Sequence, residues 1–273
     1  MKTLKDHTIF YDDECPMCRE YTKAFVKTGM LDVQGREPFS FAVNSIPHVD
    51  WHKAKNEIAL VNRKTNEVSY GIDAMLQVLT HSFPLLRLVK KFPIVEKALW
   101  KLYYFISYNR KVIAPGSVFE GKNTCTPDFN LTYRIAYIIL TWFITSFILV
   151  RYSQLAEPLV SKSEFFREFI VCGGQLLFQG FILRFVKKDR IVHYLGNVMT
   201  ISFAGSLALL PAFLFTSLIY SPLFYIGWFV VVVLVMFFEH MRRVSILELP
   251  WFVSATWVLY RLLVLGIIIS IQS

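Results

Sequence analysis

Long apolar runs fill the second half of the chain, whereas shorter apolar runs alternate with polar residues in the first half. The long runs begin at Leu131, and each supplies the roughly 20 helical residues that cross a bilayer. They cover residues 131–150, 165–185, 194–219, 222–239 and 250–271. This pattern predicts an all-α transmembrane helical bundle of about five spans.

The N-terminal part combines β-rich runs with helical periodicity. Residues 7–11 predict a strand, and residues 16–29 predict a helix that ends at a glycine. The other predicted elements are a strand over 39–43, a β-hairpin over 57–61 and 67–70, and a helix over 72–81. This β-α-β then β-β-α order predicts an α/β thioredoxin-like domain over residues 1–115. A linker over 116–130 and the helical bundle over 131–273 follow.

Between the predicted sheet and the first span, residues 83–114 have apolar side chains at helical spacing. Basic side chains follow the same segment, namely Lys90, Lys91, Lys97, Lys101, Arg110 and Lys111. Two interpretations are open. The segment lies on an anionic membrane surface, or it covers the small sheet and closes the domain.

The composition places the chain in a membrane. With 55% hydrophobic and 18% charged residues, the chain is too apolar for a soluble protein. Its net charge of +9 is shared almost evenly by residues 1–130 and 131–273. This even spread does not indicate a nucleic-acid partner, and we expect none.

The loops between the predicted spans give an orientation. Residues 184–193 hold four cations and residues 240–249 hold Arg242 and Arg243, whereas 151–164 hold two cations and 220–221 none. The positive-inside rule places the two basic loops and the N-terminal domain in the cytoplasm, and the C-terminus outside. Residues 1–13 lack the apolar core of a signal peptide. We therefore predict a protein of the bacterial inner membrane with a cytoplasmic N-terminal domain.

Cys15 and Cys18 stand three residues apart where the first predicted strand gives way to the first helix. A helix N-terminus favours the thiolate form of a cysteine, which is the reactive form in disulfide exchange. We therefore predict that Cys15 attacks and that Cys18, one helical turn later, resolves the mixed disulfide. The neighbouring Asp12 and Asp13 are expected to raise the pKa of the thiols.

The stretch from Asp12 to Arg19 resembles the D-x-x-C-x-x-C signature of the DCC family of predicted thiol-disulfide oxidoreductases. Gly71 to Ala74 resembles that family's G-x-x-A element, and Tyr104 to Arg110 resembles its late aromatic and Asn-Arg signature. The resemblance covers about residues 7–115. It implies a thioredoxin-like fold, with Cys15 and Cys18 as the redox pair and Asp12 as the motif acid. The family usually has glycine where this chain has Asp13.

A zinc site is the alternative use of the cysteine pair, with His48 and His52 as further ligands. We expect no metal and no cofactor. Cys125 and Cys172 are expected to be structural, because neither has a cysteine close by in sequence.

Arg261 falls near the middle of the last predicted span, where a charge usually faces the bundle interior or a ligand. Gln175, Gln179 and Asn197 are expected to share that interior. Two interpretations are open for this cluster. It binds an anionic or quinone-like ligand or a partner helix, or it is a packing feature in which the glutamines satisfy the arginine.

These observations together predict a membrane-tethered thiol-disulfide oxidoreductase. Its substrate would be a thiol or a disulfide, carried by a protein or by a small molecule. Its other expected partners are the lipid bilayer and a membrane protein. The alternative is a non-enzymatic membrane subunit that uses a redox-like domain for docking or redox sensing. The reactivity of Cys15 and Cys18 distinguishes the two.

Overall fold

The computed structural model describes residues 2–116, 125–157, 159, 165–216 and 221–272. The chain forms two compact units, Met1–Tyr133 and Arg134–Ser273, each with its own buried core. Part of the predicted linker, residues 117–124, lies outside the described residues. The boundaries predicted for the domain and the linker stay predictions.

A four-stranded mixed sheet forms the centre of the described part of the first unit. Its strands are β1 His7–Tyr11, β2 Arg36–Pro38, β3 Ala59–Asn62 and β4 Val68–Tyr70. Their order is β2-β1-β3-β4. β1 runs parallel to β2, with Ile9 opposite Arg36, and antiparallel to β3, with Ile9 opposite Leu60. β4 pairs antiparallel with β3 and forms the predicted hairpin.

The prediction of a strand over residues 39–43 is wrong, because the strand at this point is β2 and ends at Pro38. Residues Phe39–Ala42 form the short helix α2. Phe39 and Ala42 are buried while Phe41 is exposed. A strand would place Phe39 and Phe41 on one face, whereas burial three residues apart is helical spacing. The apolar-polar alternation of Phe39, Ser40 and Phe41 has the period of a strand although these residues form a helix.

The other helices of the first unit are α1 Pro16–Lys27, α3 Trp51–Asn56, α4 Gly71–Ser82 and α5 Pro93–Ile113, with a 3-10 stretch over Pro84–Lys91. The last third of α5 is buried at Ser107, Asn109, Arg110 and Val112. Its first half and the 3-10 stretch expose large apolar side chains, among them Leu85 and Ile94. The C-terminal end of the amphipathic segment therefore packs into the domain, and the membrane-surface interpretation of its N-terminal part stays a prediction.

Successive side chains of β1 and β3 pack into two different hydrophobic cores, one on each face of the sheet. Ile9 and Leu60 point into a core with Phe25 of α1 and Val78 of α4. Phe10 and its partner Ala59 belong to the other core. That core also contains Phe39, Ala42, Val49, Ala54, Val61 and Cys125. Because side chains alternate along a strand, both faces of the sheet are covered by helices.

The second unit contains five helices long and apolar enough to span a membrane, as counted over its described residues. They are α6 Leu131–Ser153, α7 Phe165–Val186, α8 Ile191–Leu209, α9 Pro222–Ile246 and α10 Phe252–Gln272. A 3-10 stretch, Leu210–Phe215, continues α8 and contains Pro211, which lacks the N–H that an α-helix interior needs. The end of the predicted third span, residues 217–219, lies outside the described residues.

Candidate functional site

The two closely spaced cysteines occupy the loop between β1 and α1. Cys15 is the residue before α1 and has an extended backbone, with φ −90° and ψ 112°. Pro16 follows in the first turn, where its missing N–H has no helical partner to lose. Cys15 therefore stands at the positive end of the helix dipole, and Cys18 lies one turn further on.

Asp12 is buried and shapes this loop. Its Oδ1 accepts hydrogen bonds from the backbone N–H groups of Glu14, at 3.0 Å, and Cys15, at 3.2 Å. Its Oδ2 lies 3.0 Å from Nε of Arg110 and 3.5 Å from Nζ of Lys111. Both carboxylate oxygens are therefore engaged, one by the turn and the other by the end of α5.

Arg110 is a buried junction between four segments of the first unit. Besides Asp12, its guanidinium donates to the carbonyl oxygens of Lys55, at 2.8 Å, and Cys125, at 2.7 Å. It also donates to the carbonyl oxygen of Asn56, at 3.3 Å, and to Oγ of Ser107, at 3.2 Å. A buried charge is tolerated when it is paired and hydrogen-bonded in this way.

The charge on Arg110 is held by its neighbours. Burial alone would lower the pKa of its guanidinium, but Cys125, Asp12 and Cys18 raise it, and the net shift is upward. The guanidinium therefore places a permanent positive charge beside the loop that carries the two cysteines.

The pKa values of the two thiols are shifted in opposite directions. The hydrogen bond with Cys18 lowers the pKa of Cys15 to about 7, against the effect of burial, and the charge of Arg110 lowers it further. Asp12 acts in the opposite direction on both thiols, as expected from the sequence. The same thiol–thiol hydrogen bond and burial raise the pKa of Cys18. Cys15 is therefore the more acidic thiol of the pair, and Cys18 keeps its proton near neutral pH.

Asp13 and Glu14 bind away from the thiols. The carboxylate of Asp13 accepts from the backbone N–H of Ser40, at 3.3 Å, and from its hydroxyl, at 2.7 Å. Glu14 pairs with Lys111 at 2.8 Å. The loop is thus attached to α2 on one side and to α5 on the other, and Asp13 adds an anchor rather than a charge directed at the sulfur atoms.

The chain covers Cys15 but leaves Cys18 at the edge of a cavity. Cys15 is 0% exposed and Cys18 is 7% exposed. Gly116 passes against the loop so closely that a Cβ there would overlap the carbonyl oxygen of Glu14. Direct approach from solvent to Cys15 is therefore closed.

The cavity beside Cys18 has a volume of about 260 Å³. Its walls are largely apolar and come from α1, α4 and α5, with Met17, Met75, Leu99 and Ile106 among them. The polar lining residues are Asp12, Cys18, Tyr21, Glu57, Tyr103, Ser107, Arg110 and Cys125. Such a concave apolar site with a few convergent polar groups is typical of small-molecule binding.

Glu57 lines this cavity and has one carboxylate oxygen that accepts no hydrogen bond from the described residues. It is 7% exposed, and its Oε1 accepts a hydrogen bond from the hydroxyl of Tyr104 at 3.0 Å. Its Oε2 is buried and has no hydrogen-bond partner among the described residues. A buried oxygen left without a donor is costly, so a ligand that brings a donor would gain from it.

Cys125 also lines this cavity, contacts Arg110 and is buried. Its Sγ is 3.5 Å from Nη2 of Arg110 and 3.7 Å from the carbonyl oxygen of Lys55. Burial raises the pKa of its thiol to about 12. A protonated, buried thiol fits the structural role expected for Cys125.

The histidines of the zinc alternative are both exposed, and His52 pairs with Asp128 at 3.3 Å. Across the described ranges, no three His, Cys, Asp or Glu side chains form a group that could hold a metal ion. Neither histidine therefore joins Cys15 and Cys18 in such a group.

In the second unit, the polar residues expected around Arg261 separate into different groups. Gln179 accepts from the hydroxyl of Tyr194 at 2.8 Å, and Asn197 accepts from Arg243 at 2.9 Å. Gln175 lines the same cavity as Arg261. Of the three expected neighbours, Gln175 is therefore the one that shares a cavity with the arginine.

Sequence reasoning did not assign roles to Arg110, Lys111 or Glu57. The signal for Arg110 was the Asn109-Arg110 pair in the late signature of the resembled family. Lys111 and Glu57 carried no such signal, because their importance comes from contacts with residues far away in sequence.

Residues 9–114 match the family model described as DCC1-like thiol-disulfide oxidoreductase. No curated protein and no solved structure matches the chain. The match confirms the resemblance to this family, while the roles of the residues in the D-x-x-C-x-x-C stretch stay predictions. Together with the mixed sheet and the five apolar helices, it also supports the predicted fold class of a thioredoxin-like domain followed by a transmembrane bundle.

Proposed function

Because residues 9–114 are of the DCC1-like thiol-disulfide oxidoreductase family, we propose that Cys15 and Cys18 exchange a disulfide with a small thiol substrate in the adjoining cavity. The observation that carries this proposal is the arrangement of the two sulfurs. Cys18 borders the cavity, whereas Cys15 is fully buried and has the lower pKa. The five apolar helices make the protein an integral membrane protein and tether the domain to a bilayer.

The exchange begins with Cys15 and Cys18 joined as a disulfide. A substrate thiolate in the cavity attacks Sγ of Cys18 and forms a mixed disulfide. The Cys15–Cys18 bond breaks, and its electron pair leaves on Cys15 as the thiolate. The pKa of about 7 makes Cys15 a good leaving group, because thiols of lower pKa leave faster.

A second substrate thiolate then attacks the substrate sulfur of the mixed disulfide. The substrate leaves as a disulfide, and Cys18 leaves with the electron pair and takes up a proton. Two substrate thiols are oxidised, and the protein disulfide is reduced to two thiols. The same steps in reverse reduce a substrate disulfide, and the relative reduction potentials set the direction.

Asp12 and Arg110 act in this scheme as positioning residues. Asp12 fixes the backbone N–H groups of Glu14 and Cys15, and Arg110 fixes Asp12. Arg110 also stabilises the thiolate of Cys15 by its charge. Their contribution is therefore to hold the loop and its electrostatic potential.

We place the domain in the cytoplasm of a bacterial cell, at the inner membrane. The support is the excess of cations in residues 184–193 and 240–249, which flank alternate spans. The substrate would be a cytoplasmic thiol or one that partitions to the membrane surface.

The test is to trap the mixed disulfide. The full chain, with Cys125→Ser and Cys172→Ser as background, is treated with dithiodipyridine, a small aromatic disulfide. In Cys15→Ser, the adduct on Cys18 has no neighbouring thiol to release it, so it should accumulate and be found by mass spectrometry. In Cys18→Ser, the buried Cys15 should react at least about tenfold more slowly.

The opposite order of reactivity contradicts the assignment of Cys18 as the substrate-facing sulfur. It would support the order predicted from sequence, in which Cys15 attacks and Cys18 resolves. If neither folded variant reacts, the pair is not accessible to small disulfides. The docking or sensing alternative would then be the better account.

A further inference from the structure

Arg261 lies in the middle of a membrane span. It stands nine residues from each end of the span Phe252–Ser270, which is roughly 14 Å of helix in either direction. A charged side chain at this depth is expensive and usually faces a partner or a ligand. The side chain contacts the ring of Trp257, with the guanidinium carbon 4.0 Å from the ring centroid.

Among the described residues, Arg261 has an unsatisfied donor and no carboxylate partner. Its Nε is buried without a hydrogen-bond partner. The Trp257 ring attracts the cation, but a ring face does not replace a hydrogen-bond acceptor for a guanidinium with five N–H groups. The arginine therefore lacks the counter-charge that a buried guanidinium needs.

A cavity of about 510 Å³ adjoins Arg261 inside the second unit. It is lined mainly by apolar side chains of the bundle, such as Val198, Leu209 and Phe229. Arg167 and Glu168 also border it and pair with each other at 2.8 Å. After that pair is set aside, Arg261 is the remaining charge on the lining.

Gln175 supplies a second donor on the same cavity. It is 5% exposed, and its Nε2 is buried with no hydrogen-bond partner among the described residues. Gln175 comes from α7 and Arg261 from α10. Two helices therefore place residues with unsatisfied N–H groups on the lining of one largely apolar cavity.

We propose that this cavity binds an anionic amphiphile, with its carboxylate or phosphate head group on Arg261 and Gln175 and its hydrocarbon tail along the apolar wall. A guanidinium fork matches the oxygens of a carboxylate or a phosphate. The volume lies in the range of about 300–1,000 Å³ that is common for small-molecule sites. The bound anion supplies acceptors for the unsatisfied donors of Arg261 and Gln175, and the tail fills space that would otherwise be empty.

Binding of radiolabelled oleate to the full chain in phosphatidylcholine nanodiscs tests the proposal. The unmodified chain should bind oleate saturably. Arg261→Gln should weaken binding by about tenfold or more. Gln175→Leu should weaken it by a smaller factor, because the neutral amide of Gln175 gives the anionic head group a weaker hydrogen bond than the charged guanidinium does. Arg184→Gln is the matched control, since Arg184 is exposed and does not line the cavity. Its affinity should equal that of the unmodified chain.

Two further arms identify the head group. Phosphatidylglycerol added to the nanodiscs should displace oleate if a phospholipid phosphate is the natural occupant, and should leave it bound if a free carboxylate is preferred. Oleyl alcohol, which has the tail without the charge, should bind weakly and without dependence on Arg261.

The proposal is overturned if oleate binding is not saturable, or if Arg261→Gln and Arg184→Gln bind it equally. It is also overturned if oleyl alcohol binds as well as oleate. Circular dichroism establishes that each variant is folded. If Arg261→Gln does not fold, the comparison of Gln175→Leu with Arg184→Gln decides the question.

Discussion

Asp12 and Arg110 are 98 residues apart in sequence and form a buried ion pair, with Oδ2 of Asp12 3.0 Å from Nε of Arg110. The pair joins the loop that carries the cysteines to the last helix of the domain. Neither side chain has appreciable solvent exposure. The geometry of the thiols therefore depends on a helix that contributes no sulfur.

We predict that Arg110→Gln destabilises the domain by roughly 3–5 kcal/mol, because it leaves Asp12 buried without its main counter-charge. Thermal unfolding of the full chain in detergent measures the loss. Arg87→Gln, an exposed arginine in the same unit, is the control and should change stability by less than about 0.5 kcal/mol. Equal unfolding of the two variants would contradict a structural role for the buried pair.

The ionisation of Cys15 should depend on pH with a midpoint near 7, the value to which its pKa is lowered. Because the folded pKa is below the ordinary value of 9.0, the thiolate stabilises the reduced fold. This contribution grows as pH rises from about 7 to 9 and is lost as pH falls through 7. The ultraviolet absorbance of the thiolate in the reduced protein, with Cys15→Ser as the blank, gives the profile without requiring a reagent to reach the buried sulfur.

Cys18→Ala should move this midpoint upward, because the hydrogen bond with Cys18 is the largest cause of the low pKa. Cys18→Ser keeps a donor and should move it less. If both variants keep the midpoint of the unmodified protein, the helix N-terminus and Arg110 set the pKa of Cys15 instead.

Cys125 should not react with dithiodipyridine under the conditions in which Cys18 reacts. Its pKa is raised to about 12 by burial, so at pH 8 it stays protonated. We expect Cys125→Ser to retain dithiodipyridine exchange and native thermal stability to within about 1 kcal/mol. Loss of exchange in a folded Cys125→Ser protein would instead give this thiol a part in the reaction.

The free oxygen of Glu57 should select substrates. Asp12 and Arg110 neutralise each other on the cavity lining, so Glu57 leaves a negative charge there. Cysteamine, a cationic thiol, should therefore be oxidised in preference to thioglycolate, an anionic one. Glu57→Gln should reduce this preference by about tenfold, since the interaction with a charged group is lost.

Glu67→Gln is the matched control, because Glu67 is exposed on the β-hairpin and does not line the cavity. The ratio of initial rates for the two thiols is the measurement. An equal ratio in Glu57→Gln and the unmodified protein would show that the cavity does not hold the substrate.

The two ends of the chain should lie on opposite sides of the membrane, because the number of spans is odd. Alkaline phosphatase, which is active outside the cytoplasm, should be active when fused after residue 273. The same reporter inserted after Lys188, in the basic loop between α7 and α8, should be inactive. Activity at both positions or at neither would contradict five spans with a cytoplasmic N-terminal domain.

Local patterns predict much of this molecule from the sequence. The apolar runs predict all five spans, since bilayer thickness imposes their length, and the strand-to-helix junction at Cys15 is readable from residues that are neighbours in sequence. The strand predicted over 39–43 failed because Phe39-Ser40-Phe41 alternates like a strand. Asp13 instead accepts hydrogen bonds from Ser40 at the start of a helix. The two residues of that contact are 27 positions apart, so the sequence around Ser40 does not reveal it.

The site could be predicted in part for the same reason. Cys15, Cys18 and Asp12 are adjacent in sequence, whereas Arg110 and Glu57 join them only through the fold. In the bundle, Gln179 was expected beside Arg261, yet it bonds with Tyr194 on another helix. Composition shows which residues are polar within a span, but the rotation of each packed helix decides which residues meet.

The late position of Arg110 also bears on biosynthesis. The ribosome completes both cysteines long before it reaches α5, so the nascent loop emerges without the cations that hold it and shield its sulfur atoms. The contact between Arg110 and Asp12 can form only once α5 has been synthesised, and α6 follows α5 in the chain. Folding of the loop that carries Cys15 and Cys18 therefore waits for the last helix before the first apolar span.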